Sequence, residues 1–200
     1  PKIESNAFKK LVPLHVKVLR SPGRWDLMTD EKLGLIGEYL DEGIVNLSVD
    51  SSKPITFNLS GSIKNQIMDF ALKEIDIDAS YFANLINNDF FALYKGIAKG
   101  ELTISGLITD PNINGSVVVK NFDINVPLFV PEHLFSQEVV VQFRQNELVI
   151  DETPFKVKDG RVLANAYLIL DRWTMNSCGL YIKSVKNKDV PCFVKVPFVS

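Results

Sequence analysis

Polar and apolar residues alternate along much of this chain, and the longest stretch of that pattern lies between positions 100 and 130. In the segment GELTISGLITDPNINGSVVV, Leu102, Ile104 and Ile108 point to one side, and Val117 and Val119 continue that side after an Asp110-Pro111-Asn112 turn. The next residues repeat the pattern with Phe122, Ile124, Val126, Leu128 and Val130. Successive side chains of a strand point to opposite faces, so alternation of this length predicts a sheet with one oily face. Strands are also expected at Pro13–Leu19, Arg24–Met28, Leu35–Leu40, Ile44–Val49, Ile55–Leu59 and Met68–Asp78. Further ones are expected at Glu101–Ile108, Ile113–Val119, Asp123–Phe129, Glu138–Arg144, Glu147–Ile150, Pro154–Lys158, Arg161–Leu170, Gly179–Lys183 and Phe193–Val199. Turn-forming groups separate them: Ser21-Pro22-Gly23, Asp41-Glu42-Gly43, Lys158-Asp159-Gly160 and Asn187-Lys188-Asp189. Short strands with tight turns predict a meander of antiparallel neighbours.

Two places read as helical. Thr29-Asp30-Glu31-Lys32 opens a single turn, and Ser80 is placed to cap a helix that starts at Tyr81, breaks at Asn87-Asn88-Asp89 and resumes over Phe90–Tyr94. This aromatic segment is expected to plug one end of the oily face through Phe82, Leu85, Ile86 and Phe90. A weak repeat is also visible, since Phe57–Ile63 recurs as Leu102–Ile108, 45 residues later (102 − 57).

From Leu102 to Leu170 one face recurs: Leu102, Ile104, Ile108, Val117, Val119, Phe122, Ile124, Val126, Val139, Val141, Phe143, Leu148, Ile150, Phe155, Val157, Val162, Ala164, Leu168 and Leu170. The alternate positions are mainly polar: Thr103, Ser105, Asp123, Asn125, Gln142, Arg144, Lys156, Lys158 and Asn165. An α+β domain would cover such a face with amphipathic helices, and this chain offers roughly one. Two solutions remain. A closed sandwich or barrel hides the face against itself. A sheet curled into an open trough leaves it apolar and accessible, far above the few hundred Å2 that soluble monomers expose, and then it needs a ligand. Long alkyl chains suit such a surface, because each CH2 removed from water contributes about 0.8 kcal/mol without any directional contact.

With 200 residues, 46% of them hydrophobic, the chain has material for one large β domain or two small ones. A formal net charge of −2 provides no basic footprint for nucleic acid. No apolar run approaches the roughly 18 residues of a spanning helix. The chain opens at Pro1 without a signal peptide and reads as a piece of a longer protein, so missing targeting signals say nothing of where the parent resides.

Catalytic chemistry finds no foothold. His15 sits in a strand pattern and His133 in an expected Pro-Glu-His loop, neither with acidic or cysteine neighbours at metal-ligand spacing. The carboxylate pairs Asp30-Glu31, Asp41-Glu42 and Asp151-Glu152 all fall at expected turns, where acids serve conformation. Asp76 and Asp78 alternate with Ile75 and Ile77, as the solvated face of a strand should. Lys183, Lys186 and Lys188 read as a solvated turn. Cys178 and Cys192 suit one disulfide or two buried thiols, and strand context favours thiols. No Gly-x-Ser-x-Gly, Walker-type or dinucleotide motif is present. The expectation is a non-enzyme with no metal and no cofactor.

The stretch GIAKGELTISGLITDPNINGSVVVKNFDINVPLFV, residues 96–130, resembles the C-terminal region of the TamB translocation and assembly module proteins, in the AsmA-like superfamily. The likeness rests on an ordered series: a helix at Ser80–Tyr94, a Gly-x-Leu-x-Ile-x-Gly strand, an Asp-Pro turn, an x-Ile-x-Gly strand and a following strand. Leu148-Val149-Ile150 and Asp159-Gly160-Arg161-Val162 fit the strands further on, so it spans about Met68 to Trp173. Residues 1–66 match only in general character and are expected to form an N-terminal β segment of the same trough, with 67–200 the TamB-like groove segment. The resemblance implies a mainly β fold: an elongated antiparallel sheet curled into an open, taco-like trough with an apolar interior and one short helix. It also implies a periplasmic position in a diderm bacterium, with the parent chain anchored in the inner membrane. The implied role is carrying phospholipid acyl chains along the groove between inner and outer membranes, without catalytic residues. An alternative within the family is a chaperone for outer-membrane barrel assembly that offers its sheet edges to nascent strands beside a BamA-like partner. A closed sandwich acting as an adhesin or structural module is the alternative outside it.

Overall fold

The computed structural model describes residues 16–29, 34–49, 55–82, 92–126, 130–185 and 192–194. They form thirteen strands: β1 Val16–Ser21, β2 Arg24–Thr29, β3 Leu35–Leu40, β4 Ile44–Val49, β5 Ile55–Lys64, β6 Ile67–Asp78 and β7 Ala92–Leu107. The series continues with β8 Asp110–Val126, β9 Val130–Gln145, β10 Glu147–Val157, β11 Gly160–Asp171, β12 Thr174–Ser184 and β13 Cys192–Val194. All belong to one antiparallel sheet in which spatial order equals sequence order, from β1 at one edge to β13 at the other. The sheet does not close, and it runs unbroken through the 66/67 position, which lies in the β5–β6 turn. No second sheet covers it among the described residues, so the closed sandwich is set aside.

Each strand pairs with the next because the connection between them is short. At one margin of the sheet every connection is a tight turn, and Asn65 and Gln66 both adopt positive φ (49° and 66°), the two-residue hairpin geometry that follows the natural twist of paired strands. Adjacent turns on this rim are also bonded to one another. The Asp41 amide donates to Gly23 O at 3.0 Å, Ile63 to Gly43 O at 2.7 Å and Ile108 to Gln66 O at 2.9 Å.

Register carries the oily face across the sheet. Directly opposed residues of an antiparallel pair share a face. Leu47 opposes Leu59, Leu59 opposes Leu72 and Leu72 opposes Leu102. Val117 opposes Val141, Val141 opposes Ile150, and Ile150 opposes Ala166, which faces Leu180. Several strands change parity on the way, β9 among them, where Leu134 and Val139 both face inward. Asn121 takes φ 51° and Glu74 takes φ 53°, and a left-handed residue within a strand flips the alternation that follows it. Odd positions therefore face inward up to Val119, and even positions (Phe122, Ile124 and Val126) do so beyond Asn121.

Several local expectations need correction. The turn before β8 is Ile108-Thr109, so Asp110 and Pro111 already belong to the strand. Pro111 precedes the β8–β9 ladder, which begins at Ile113, so its missing N–H costs that ladder nothing. Asp151 and Glu152 lie in β10 at a bulge, not at a turn. Of the helix expected over Ser80–Tyr94, the described residues show a four-residue 3-10 turn, Ala79–Phe82, while Ala92, Leu93 and Tyr94 are strand and residues 83–91 lie outside the described residues. Asp78 rather than Ser80 caps that turn, its Oδ1 accepting from the Ser80 amide at 3.0 Å and hydroxyl at 2.6 Å. The expected turn at Thr29–Lys32 begins with a strand residue, Thr29, and residues 30–33 lie outside the described residues, as do His15, Asn187, Lys188 and Asp189.

Candidate functional site

The curled part of the sheet, β7 to β12, presents the candidate site. Val119, Ile124, Val126, Leu134, Val139, Phe155, Ala164 and Ile182 are buried together, and Ala98, Val117, Phe122, Val141, Ile150, Val157, Val162 and Leu180 pack against them. These sixteen residues come from six successive strands of one layer, and the burial of eight of them with no second sheet over them among the described residues argues that the layer is concave on this side. Phe122 of β8 and Phe155 of β10, two strands apart, meet across β9 in an edge-to-face arrangement with ring centroids 6.3 Å apart.

The concave face is lined but not filled. Val139, 1% exposed, is the one large side chain that is essentially sealed among the described residues. Leu102, Ile104, Val117, Phe122, Val141, Phe143, Leu148, Ile150, Val157, Val162, Leu168 and Leu170 all keep partial access to solvent. From β7 to β12, the register places no Asp, Glu, Lys or Arg on this face among the described residues. Ser136 is the buried polar exception, and its hydroxyl donates to the Glu138 carbonyl at 2.9 Å, so it offers nothing to a ligand. Charge is confined to the other face and the margins, where Lys99 meets Asp76 at 2.7 Å, Lys183 meets Glu152 at 2.6 Å and Lys158 meets Glu132 at 2.5 Å. Such a surface can hold long apolar groups of any stereochemistry.

Of the nineteen positions expected to line the groove, Ile108 is misplaced. It is 39% exposed and sits in the β7–β8 turn, where its carbonyl accepts a 2.6 Å hydrogen bond from the Trp173 indole. The alternation that placed it inward ends one residue too late, because Gly106 (φ 97°) begins the departure from extended backbone. Of the expected plug, the Phe82 side chain and Leu85, Ile86 and Phe90 lie outside the described residues. The sequence reading missed Ala98, Leu134, Leu180 and Ile182. Leu180 and Ile182 alternate within a correctly expected strand, so that pattern alone could have found them. Leu134 follows a Pro-Glu-His sequence that masks the strand.

His133 lies in β9 rather than a loop, with Nδ1 2.9 Å from Asp123 Oδ1 and its ring stacked on Tyr94 at 4.4 Å between centroids. Asp123 comes from the adjacent β8 and Tyr94 from β7, two strands away, and both are invisible to spacing along the chain. No metal-binding group is formed among the described residues. Cys178 carries a free thiol, which excludes a bond to Cys192. Ladder positions explain this: Cys192 opposes Ile182, four residues from Cys178 along β12, or about 13 Å at 3.3 Å per residue. A disulfide requires Cα atoms within about 7 Å.

The reverse face of β1–β5 carries a shallow groove of about 610 Å3 with a floor of Asn46, Ser48, Asn58 and Ser60 and walls that include Leu19, Met28 and Ile36. Arg24 crosses it to Asp26 at 2.6 Å and Glu38 at 3.3 Å. The Asp26 side-chain hydrogen bond, then the Asp26 charge, raise the guanidinium pKa; desolvation opposes them, and the Glu38 charge adds the least. The guanidinium charge is already matched by two carboxylates, which leaves little pull for an external anion. No family model, no curated protein and no solved structure matches this chain.

Proposed function

We propose that this chain is a non-catalytic segment of a bridge-like lipid conduit, in which the concave face of β7–β12 carries phospholipid acyl chains. The observation that carries the reading is a charge-free apolar face, continuous over six strands, that the protein itself leaves partly open to solvent. Water against such a surface is costly, and each methylene that replaces it contributes about 0.8 kcal/mol. The face is continuous over these strands and offers no directional contact, so an acyl chain can shift along it without breaking one. The resemblance of residues 96–130 to the TamB-type proteins supports the setting: a periplasmic segment between two membranes, its parent anchored in the inner one.

The chaperone alternative has one observation in its favour. Among the described residues β1 is an edge strand whose six residues are all exposed, and a strand edge of that kind is a template for an incoming strand. It leaves the apolar interior of β7–β12 without a task, so the conduit is the stronger reading.

A photoreactive benzoylphenylalanine at Val141 or Val157, on the concave face, tests it. On irradiation these variants should crosslink to phospholipid in vesicles or cell envelopes, and one at Val140, on the opposite face, should not. Equal labelling from both faces would sink the conduit reading.

A further inference from the structure

One contact joins parts of the sheet that are not neighbours. The Trp173 indole Nε1 donates to the Ile108 carbonyl at 2.6 Å, across 65 residues of sequence. Trp173 lies in the β11–β12 turn and Ile108 in the β7–β8 turn, on the same rim. Four strand spacings separate the two turns, about 19 Å in a flat sheet. An indole reaches roughly a third of that, so the sheet's curl supplies the rest. Ile108 is itself fixed, because its amide donates to Gln66 O in the β5–β6 turn at 2.9 Å. The indole ends on an anchored acceptor while remaining 55% exposed, so it contributes reach more than packing.

We propose that Trp173 is a latch: its hydrogen bond holds the rim of the curled sheet together and sets how wide the groove stands open there. The inference rests on the conduit reading for its purpose, since a latch across a lipid groove controls how readily acyl chains enter and leave. It does not rest on that reading for its existence, which is a matter of distance alone. A single exposed hydrogen bond suits this role, because it holds the rim closed most of the time yet yields to a ligand that binds the open form better.

The test separates the two ideas. Spin labels at Asp110→Cys and Asp171→Cys, in a Cys178→Ser/Cys192→Ser background, report the separation of the two turns in the full chain. Trp173→Phe keeps the ring and removes the donor. The latch predicts a longer, broader distance distribution in Trp173→Phe and roughly two- to tenfold faster exchange of fluorescent phosphatidylcholine from loaded protein, the factor that one net hydrogen bond sets. Bridging the same cysteine pair with a short bis-maleimide should slow exchange below wild type, an arm that does not depend on how Trp173→Phe folds. Unchanged distances in Trp173→Phe, or exchange unaffected by the bridge in protein that binds lipid, would overturn the latch. Wider distances in protein that never binds lipid would keep the latch and remove the conduit.

Discussion

The strands β1–β4 and the strands β7–β9 are built on the same alternation and end in different states. Each of the first four is six residues long, and the other three have sixteen or seventeen. At about 3.3 Å per residue the short strands span about 20 Å and the long ones more than 50 Å. A long strand can change parity at Asn121 and still pair on both sides of the change, as Lys120 with Glu138 and Phe122 with Ser136 show. The short strands show no such change, and several of their large apolar side chains stay exposed, Val18, Leu19, Trp25, Ile36 and Tyr39, although Val49 of β4 is buried. The lesson is that alternation makes an oily face, and strand length with a left-handed residue makes it a groove.

The contrast breaks most visibly at Val139. A carboxylate in Val139→Asp would be buried without a partner, and the urea-unfolding free energy should fall by several kcal/mol. Ile36→Asp, 59% exposed in β3, should stay within about 0.5 kcal/mol of wild type. Similar losses at both sites would mean that the two regions do not differ as described.

Phe155→Ala should cost about 3 kcal/mol in the same assay, at the lower end for a buried aromatic because the trough beside it is already open. Trp25→Ala in β2 should cost clearly less, although Arg20 stacks on its ring at 4.8 Å. A third substitution addresses the joint between the regions. A Cβ on Gly61 would come 2.0 Å from Asp69 O of the neighbouring strand, so Gly61→Ala must push β5 from β6. The expected loss is about 1–3 kcal/mol, with faster amide exchange in β5 than in β9. Protection lost equally everywhere would show that the sheet unfolds as a single unit with no distinct regions.

The smallest effect is expected from the thiols. With Cys178 free, Cys178→Ser/Cys192→Ser gives up no disulfide, and its melting temperature should be the same with and without reductant. A reductant-dependent melting temperature in the parent chain would contradict the thiol geometry.

Much of this architecture was legible in the sequence. The strands at 35–40 and 44–49 match their expected limits, because polar turn groups bracket both. Eighteen of the nineteen expected lining positions lie in strands, and register shows which residue faces which. The failures have local physical causes. The apolar run at 90–94 lacks a clean period of two in the sequence, so it passed for helix although Ala92–Tyr94 open a sixteen-residue strand. The Asp-Pro pair suggested a turn because proline usually starts one, whereas here it starts a strand. Contacts such as Trp173 with Ile108 depend on the curl of the whole sheet, and no window of sequence encodes that distance.

Ile124→Arg and Val141→Arg sharpen the account, since both side chains point inward but Ile124 is buried and Val141 half-open. Ile124→Arg should lose fold and ligand together, and Val141→Arg can extend its guanidinium to the mouth of the trough and keep the fold. Native mass spectrometry of the chain and of Val141→Arg, after incubation with phospholipid vesicles, measures the central claim directly. The account predicts phospholipid adducts on the parent chain and their loss from a folded Val141→Arg. A folded parent chain without adducts, or a Val141→Arg variant that carries lipid as well as its parent, would contradict it.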